Sequence, residues 1–165
     1  MASFPASGVV LERRPAAPSS ISLADPAARD ALPGQVAELG LTVSILVNNA
    51  GYGSAGPFTK LDGAAEAQMV RLNCEAPVAL TSVYAKEMVE RGSGAILNVA
   101  SSAGFQPIPK QATYAASKAF MLNWSDALHV ELNGRGVSVT ALCPGPVETE
   151  FAEVAGAEGL FDKAP

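Results

Sequence analysis

Tyr114 and Lys118 stand four residues apart in a stretch of helical composition, so both side chains occupy one face of the expected helix. A free phenol has a pKa of ~10, and an ammonium group a few ångströms away favours phenolate, which brings the tyrosine toward acid/base work near neutral pH. Such a pair is a proton-transfer device in principle, although the same spacing also describes many solvated surface pairs. Three further segments concentrate small and polar residues: Asn48-Asn49-Ala50-Gly51-Tyr52-Gly53, Ala100-Ser101-Ser102-Ala103-Gly104 and Cys143-Pro144-Gly145-Pro146. Glycine lets a ligand approach the backbone closely, and Asn and Ser supply hydrogen-bonding groups there.

Each of these segments follows a short apolar run, at 43–47, 95–99 and 137–142, rich in β-branched residues and apolar on both faces. Buried parallel strands read this way. Between them lie segments of helical composition, 62–91 and 112–133, the first interrupted near Pro77, with Gly92 and Gly134 at the expected stops. An earlier helix is expected from Asp25, which can accept as N-cap while Pro26 fills the first helical position; Pro33 and Gly34 predict a break or kink inside it. Parallel strands need right-handed crossovers, and helices over both sheet faces give a doubly wound α/β layer. In such a sheet, ligands bind beyond the carboxyl ends of the strands, where the three polar segments fall.

Composition bounds the function. The 165 residues suit one domain, and 48% apolar with 16% charged content argues against disorder. A net charge of −5 argues against a nucleic-acid partner. Mean hydropathy is +0.21, yet no run nears the ~18 to 20 apolar residues of a membrane span. No export signal is read at the N-terminus, and Cys74 and Cys143 form no Cys-x-x-Cys pair, so a cytoplasmic, reducing compartment is the expectation. Neither cysteine has metal-ligand neighbours, and His129 is the only histidine, so no metal site is expected. Residues 1–24, with Pro5, Pro15 and Pro18, show neither helical nor strand period and read as an irregular segment, followed by a domain over 25–151 and a short C-terminal stretch at 152–165.

The block from Asn48 to Phe151 resembles the short-chain dehydrogenase/reductase family. The resemblance rests on Asn48-Asn49-Ala50-Gly51, Asn73, Ser101 with Ala103-Gly104 behind it, Tyr114-Ala-Ala-Ser-Lys118, and Pro144-Gly145 leading to Thr149. Ser101 stands thirteen positions before Tyr114, and the matching elements run in order over roughly 23–151. It implies a Rossmann-like fold and hydride transfer between NADP or NAD and a small carbonyl or alcohol substrate. In that scheme Tyr114 is the acid/base, Ser101 orients the substrate oxygen, Lys118 lowers the pKa of Tyr114 and bonds the nicotinamide ribose, and Asn73 holds a water linking Lys118 to solvent. Asn49, Ala50 and Gly51 would line the adenosine side of the cofactor, and Pro144, Gly145, Val147 and Thr149 the nicotinamide. The plainer alternatives are a capping or helix-bending Asn73, an equivalent hydroxyl at Ser102, and Thr149 as an ordinary N-cap.

Two departures qualify the resemblance. The family opens with a strand and a glycine-rich turn that receives the pyrophosphate, but Gly8 is the only glycine before Gly34 and no such turn can be written. Val9-Val10-Leu11 followed by Arg13-Arg14 is similar to the family's second strand, whose trailing arginine can pair with the NADP phosphate; this places NADP slightly ahead of NAD. The family's adenine-contacting Asp falls at Ser22, with Asp25 as a displaced candidate. Fourteen residues after Phe151 are too few for the family's substrate-covering helices, so a fragment of a longer reductase with an open pocket is expected. The alternative is a non-catalytic remnant that offers the helices at 62–91 and 112–133 for association. The resemblance implies a homodimer or homotetramer through those helices, with Phe120, Met121 and Trp124 as core or interface anchors.

Overall fold

The computed structural model describes residues 21–145. Three parallel strands, β1 (Ile45–Asn48), β2 (Gly94–Val99) and β3 (Val137–Leu142), pair in the order β1-β2-β3. Helix α1 (Pro26–Glu38) precedes β1; α2 (Gly63–Val70), a π turn (Arg71–Glu75) and α3 (Ala76–Arg91) connect β1 to β2; α4 (Ala112–Leu132) connects β2 to β3. The fold is a Rossmann-like α/β layer structure.

The register places Leu46, Ile96 and Val139 side by side across the sheet. They form one core with Val36 of α1, Leu80, Tyr84 and Met88 of α3, and Leu128 and Leu132 of α4. Among the described residues, therefore, the helices lie on one sheet face, as two right-handed crossovers running in the same direction require. On the opposite face Ile45 and Leu142 are each 48% exposed. This is one wing of a doubly wound sheet. No helix of the described residues is long and apolar enough to cross a membrane.

Local chemistry explains the element ends. Asp25 Oδ1 accepts from the Ala27 N–H at 3.0 Å, with Pro26 in the first turn of α1, as the sequence predicts. The break expected at Pro33-Gly34 does not occur: α1 runs unbroken to Glu38 with Pro33 inside it. Tertiary anchoring outweighs the lost hydrogen bond, because Val36 and Leu32 pack into the core and buried Arg29 pairs with Glu75 at 2.9 Å and Asp30 at 3.3 Å. This capping role uses Oδ1 of Asp25, the displaced candidate for adenine recognition.

The first strand pairs over Ile45–Asn48 rather than 43–47. Val43 is still buried, but the Arg91 guanidinium donates to its carbonyl at 3.0 Å, so that group is satisfied outside the ladder. The interruption near Pro77 takes the form of the π turn. Pro77 has no N–H for the Asn73 carbonyl, so the helix widens by a residue at this point instead of stopping. Helix α3 then ends on Gly92 at φ 69°, the left-handed cap expected there. Leu23, inside the stretch read as irregular, is buried in the core.

Candidate active site

The carboxyl edges of the strands and the sheet-facing side of α4 meet at one place. From α4, Tyr114 and Lys118 are 8% and 7% exposed, and the Lys118 Nζ lies 5.9 Å from the centre of the Tyr114 ring. Lys118 Nζ donates to the Val99 carbonyl at 2.8 Å, which draws the ammonium to the end of β2. Ser101 follows two residues later as the N-cap of a short 3-10 turn, Ser102–Phe105, its Oγ accepting from Ala103 N–H at 3.1 Å. Its side chain also hydrogen-bonds Tyr114. The hydroxyl, the phenol and the ammonium thus share one corner.

Asn73 reaches this corner because the π turn faces it inward, 2% exposed. Its Oδ1 accepts from Tyr52 N–H at 3.2 Å, and its Nδ2 donates to Tyr52 O at 2.9 Å and Ser117 Oγ at 3.0 Å. Both amide hydrogens are used, so the side chain clamps the loop after β1 to α4 and keeps only acceptor capacity for a water. The loop comes close: a Cβ on Gly51 would lie 2.9 Å from Asn73 Oδ1 and 3.8 Å from Lys118 Nζ. In this loop Gly51 borders the corner, Ala50 packs against the main core and the Asn49 side chain is exposed. Pro144 and Gly145 flank the other side of the corner, since Pro144 O accepts from Ser102 N–H at 2.9 Å. Val147 and Thr149 lie outside the described residues.

The electrostatics differ from the sequence expectation at one group. Burial pushes the Tyr114 phenol above its ordinary pKa, with the Ser101 hydrogen bond acting in the lowering direction. Loss of hydration is the largest influence and outweighs the lowering expected from the Lys118 ammonium, 5.9 Å from the ring centre. Burial pushes Lys118 down to about 8, against the opposing influence of the Cys74 and Cys143 thiols. Met69, Ala103, Tyr52 and Ile108 pack against Tyr114 and make that side of the corner apolar.

Two buried polar residues escaped sequence reasoning. Ser117 ties Asn73 to α4 and donates to Tyr114 O at 2.7 Å; it lies within the Tyr114–Lys118 motif, whose spacing alone assigns it no role. Asn98 stands in a run treated as apolar, and an amide there was the available signal. Of the expected anchors, Met121 is buried, while Phe120 and Trp124 stack with ring centres 6.0 Å apart on the outer side of α4, Phe120 exposed.

A family model described as short chain dehydrogenase matches residues 9–158, beyond the 23–151 over which the motifs run. The chain is 39% identical over 105 residues to the ketoacyl reductase HetN of Nostoc sp., covering 64% of this chain and 37% of that protein. It is 38% identical over 117 residues to a very-long-chain 3-oxoacyl-CoA reductase of Pyrenophora tritici-repentis, covering 70% and 34%. Among solved structures, a short-chain dehydrogenase from Sphingobium yanoikuyae in complex with NADPH superposes with TM-score 0.76 and 34% identity, covering 82% of this chain and 52% of the other. A 4-hydroxyisoleucine dehydrogenase complexed with NADH gives TM-score 0.76 at 28% identity, covering 80% and 59%. The chain spans about a third of the length of those curated relatives.

Proposed function

The chain belongs to the short-chain dehydrogenase family, and on that premise we propose that it carries the proton-transfer half of an NAD(P)-dependent oxidoreductase acting on a small carbonyl or alcohol. The observation that carries this reading is the convergence of Tyr114, Ser101 and Lys118 at the carboxyl end of β2.

The residues present fit one end of a dinucleotide. Lys118 has three N–H donors and the protein uses one of them on Val99, which leaves donors for ribose hydroxyls. Around Gly145 there is open space, with nothing within 4 Å of an added Cβ. Asn49, Ala50 and Gly51 would line the adenosine side, and Pro144, Gly145, Val147 and Thr149 the nicotinamide side. A glycine-rich phosphate turn has no counterpart before Gly34, so the pyrophosphate end is not accounted for by these residues. When bound, the nicotinamide supplies or accepts a hydride.

The side chains divide the remaining work. Ser101 orients the substrate oxygen beside the Tyr114 hydroxyl. Tyr114 donates the proton to that oxygen in reduction and removes it in oxidation. Its raised pKa keeps it protonated at neutral pH, the form that reduction needs. Lys118, its ammonium beside the ring, stabilises the phenolate left by that transfer, while Asn73 fixes the loop carrying Gly51. NADP stands slightly ahead of NAD, and two unpaired cysteines suit a reducing, cytoplasmic setting.

A second reading is a non-catalytic association module, favoured by apolar exposure on α3 and α4: Val78 and Val83 are 37% and 36% exposed, and Phe120 and Val130 are 41% and 74%. Titration of the chain with NADPH and NADH separates the two. Micromolar binding that weakens at least tenfold in Lys118→Met supports the oxidoreductase. Absence of nucleotide binding together with a concentration-dependent sedimentation shift supports the association module.

A further inference from the structure

Four polar side chains lie in the interior, away from the proton-transfer corner, where hydrophobic residues would pack as well. Asn48, Thr81, Asn98 and Ser125 are 7%, 2%, 0% and 1% exposed. Asn48 Nδ2 donates to Thr81 Oγ1 at 3.0 Å and to Asn98 Oδ1 at 2.7 Å, and Asn98 Nδ2 donates to Ser125 Oγ at 2.8 Å. Ser125 Oγ in turn donates to the Met121 carbonyl. The network therefore links α3, β1, β2 and α4, with donation running outward from Asn48 to Thr81 on one side and through Asn98 and Ser125 to Met121 on the other.

Its position along α4 links it to the site. Ser125 follows Lys118 by seven residues, two helical turns, so both point at the sheet. Their partners on β2 are adjacent in sequence: Ser125 is held by Asn98, and Lys118 by the carbonyl of Val99. These are two successive clamps between the same strand and the same helix. We propose that the Asn98–Ser125 hydrogen bond is a positioning clamp that sets the height of α4 on β2, so that Lys118 reaches Val99 and Tyr114 meets Ser101.

The groups facing Lys118 are Tyr114 on its own helix, Cys74 on the π turn and Cys143 just after β3. None of them is touched by a change at Ser125, so a response of Lys118 to that change must travel through the helix–strand seam. The inference rests on the proposed role of Lys118 for its catalytic meaning. Its test does not, because the titration of Lys118 is read without turnover.

The experiment is NMR titration of the 165-residue chain, labelled at lysine Cε, from neutral to alkaline pH, with the Lys118 signal assigned by its loss in Lys118→Met. In Ser125→Ala the Lys118 midpoint is expected to rise from about 8 by at least half a unit as the seam loosens, and in Ser125→Thr, which keeps the hydroxyl, to return toward its original value. Thr81→Val, at the far end of the relay, is expected to move it less. An unchanged midpoint in folded Ser125→Ala overturns the proposal, including when the variant is destabilised, since the relay would then be structural only. Should Ser125→Ala not fold, Ser125→Cys, which keeps the volume and weakens the hydrogen bond, is judged by the same midpoint.

Discussion

At the scale of single residues, burial decides the chemistry more than charge proximity does. Tyr114 and Lys118 are held in one corner, and both are pushed toward their neutral forms. The consequence for Lys118 has a definite sign. Its folded pKa of about 8 lies below the ordinary lysine value, so between those two pH values the unfolded chain binds more protons than the folded one, and stability rises with pH. Below about 8 both states are charged and the cost of burying the ammonium is fully present. Relative to Lys118→Met, the wild-type chain is therefore expected to gain stability on going from pH ~7 to ~10, by up to about 3 kcal/mol. Urea unfolding of both chains across that range checks it, and parallel curves would mean that Lys118 is not desolvated. The Tyr114–Lys118 spacing and Ser101 were legible in the sequence because they follow helix period and strand ends. The direction of the Tyr114 shift was not, because burial depends on Met69 and Tyr52, which arrive from distant parts of the chain, together with Ile108 from the preceding loop.

At the scale of elements, close backbone approach sets the corner. Gly104, in the turn after Ser101, lies directly on α4: an added Cβ would sit 2.8 Å from both the carbonyl carbon and oxygen of Lys118 and 3.0 Å from Ala119 N. These are backbone atoms of a packed helix and cannot yield cheaply. Gly104→Ala is expected to cost about 1–3 kcal/mol by overpacking, read as a lowered melting temperature, and to part Ser101 from Tyr114 as the turn lifts away. A melting temperature equal to wild type would show that the turn is free to shift. The strand at 137–142 and both glycine stops were legible, since β-branched runs and left-handed caps are local signals. The start of β1 and the continuity of α1 were not. A side chain from α3, Arg91, ends the ladder at Val43, and core packing with the Arg29–Glu75 pair holds α1 together across Pro33. Local propensity carries no record of either contact.

At the scale of the whole molecule, the described residues form one wing of a Rossmann-like fold, with the candidate site at the carboxyl edge and Ile45 and Leu142 exposed on the second sheet face. Fold class was readable because three buried runs separated by helical segments admit few topologies. The relay through Asn48, Asn98, Thr81 and Ser125 was not readable, because its members are far apart in sequence and pair only once the strands are in register. The account depends on Tyr114 acting as the proton donor and acceptor at that edge. Comparison of the chain with Tyr114→Phe, which removes one hydroxyl, addresses this most directly, by following NADPH consumption over a panel of carbonyls with nucleotide affinity measured alongside. The expected result is a loss of turnover of roughly 10²- to 10⁴-fold with nucleotide affinity little changed, and for the wild-type chain an alcohol oxidation rate that climbs with pH toward the raised phenol pKa. Turnover in Tyr114→Phe equal to that of the wild-type chain would contradict the account.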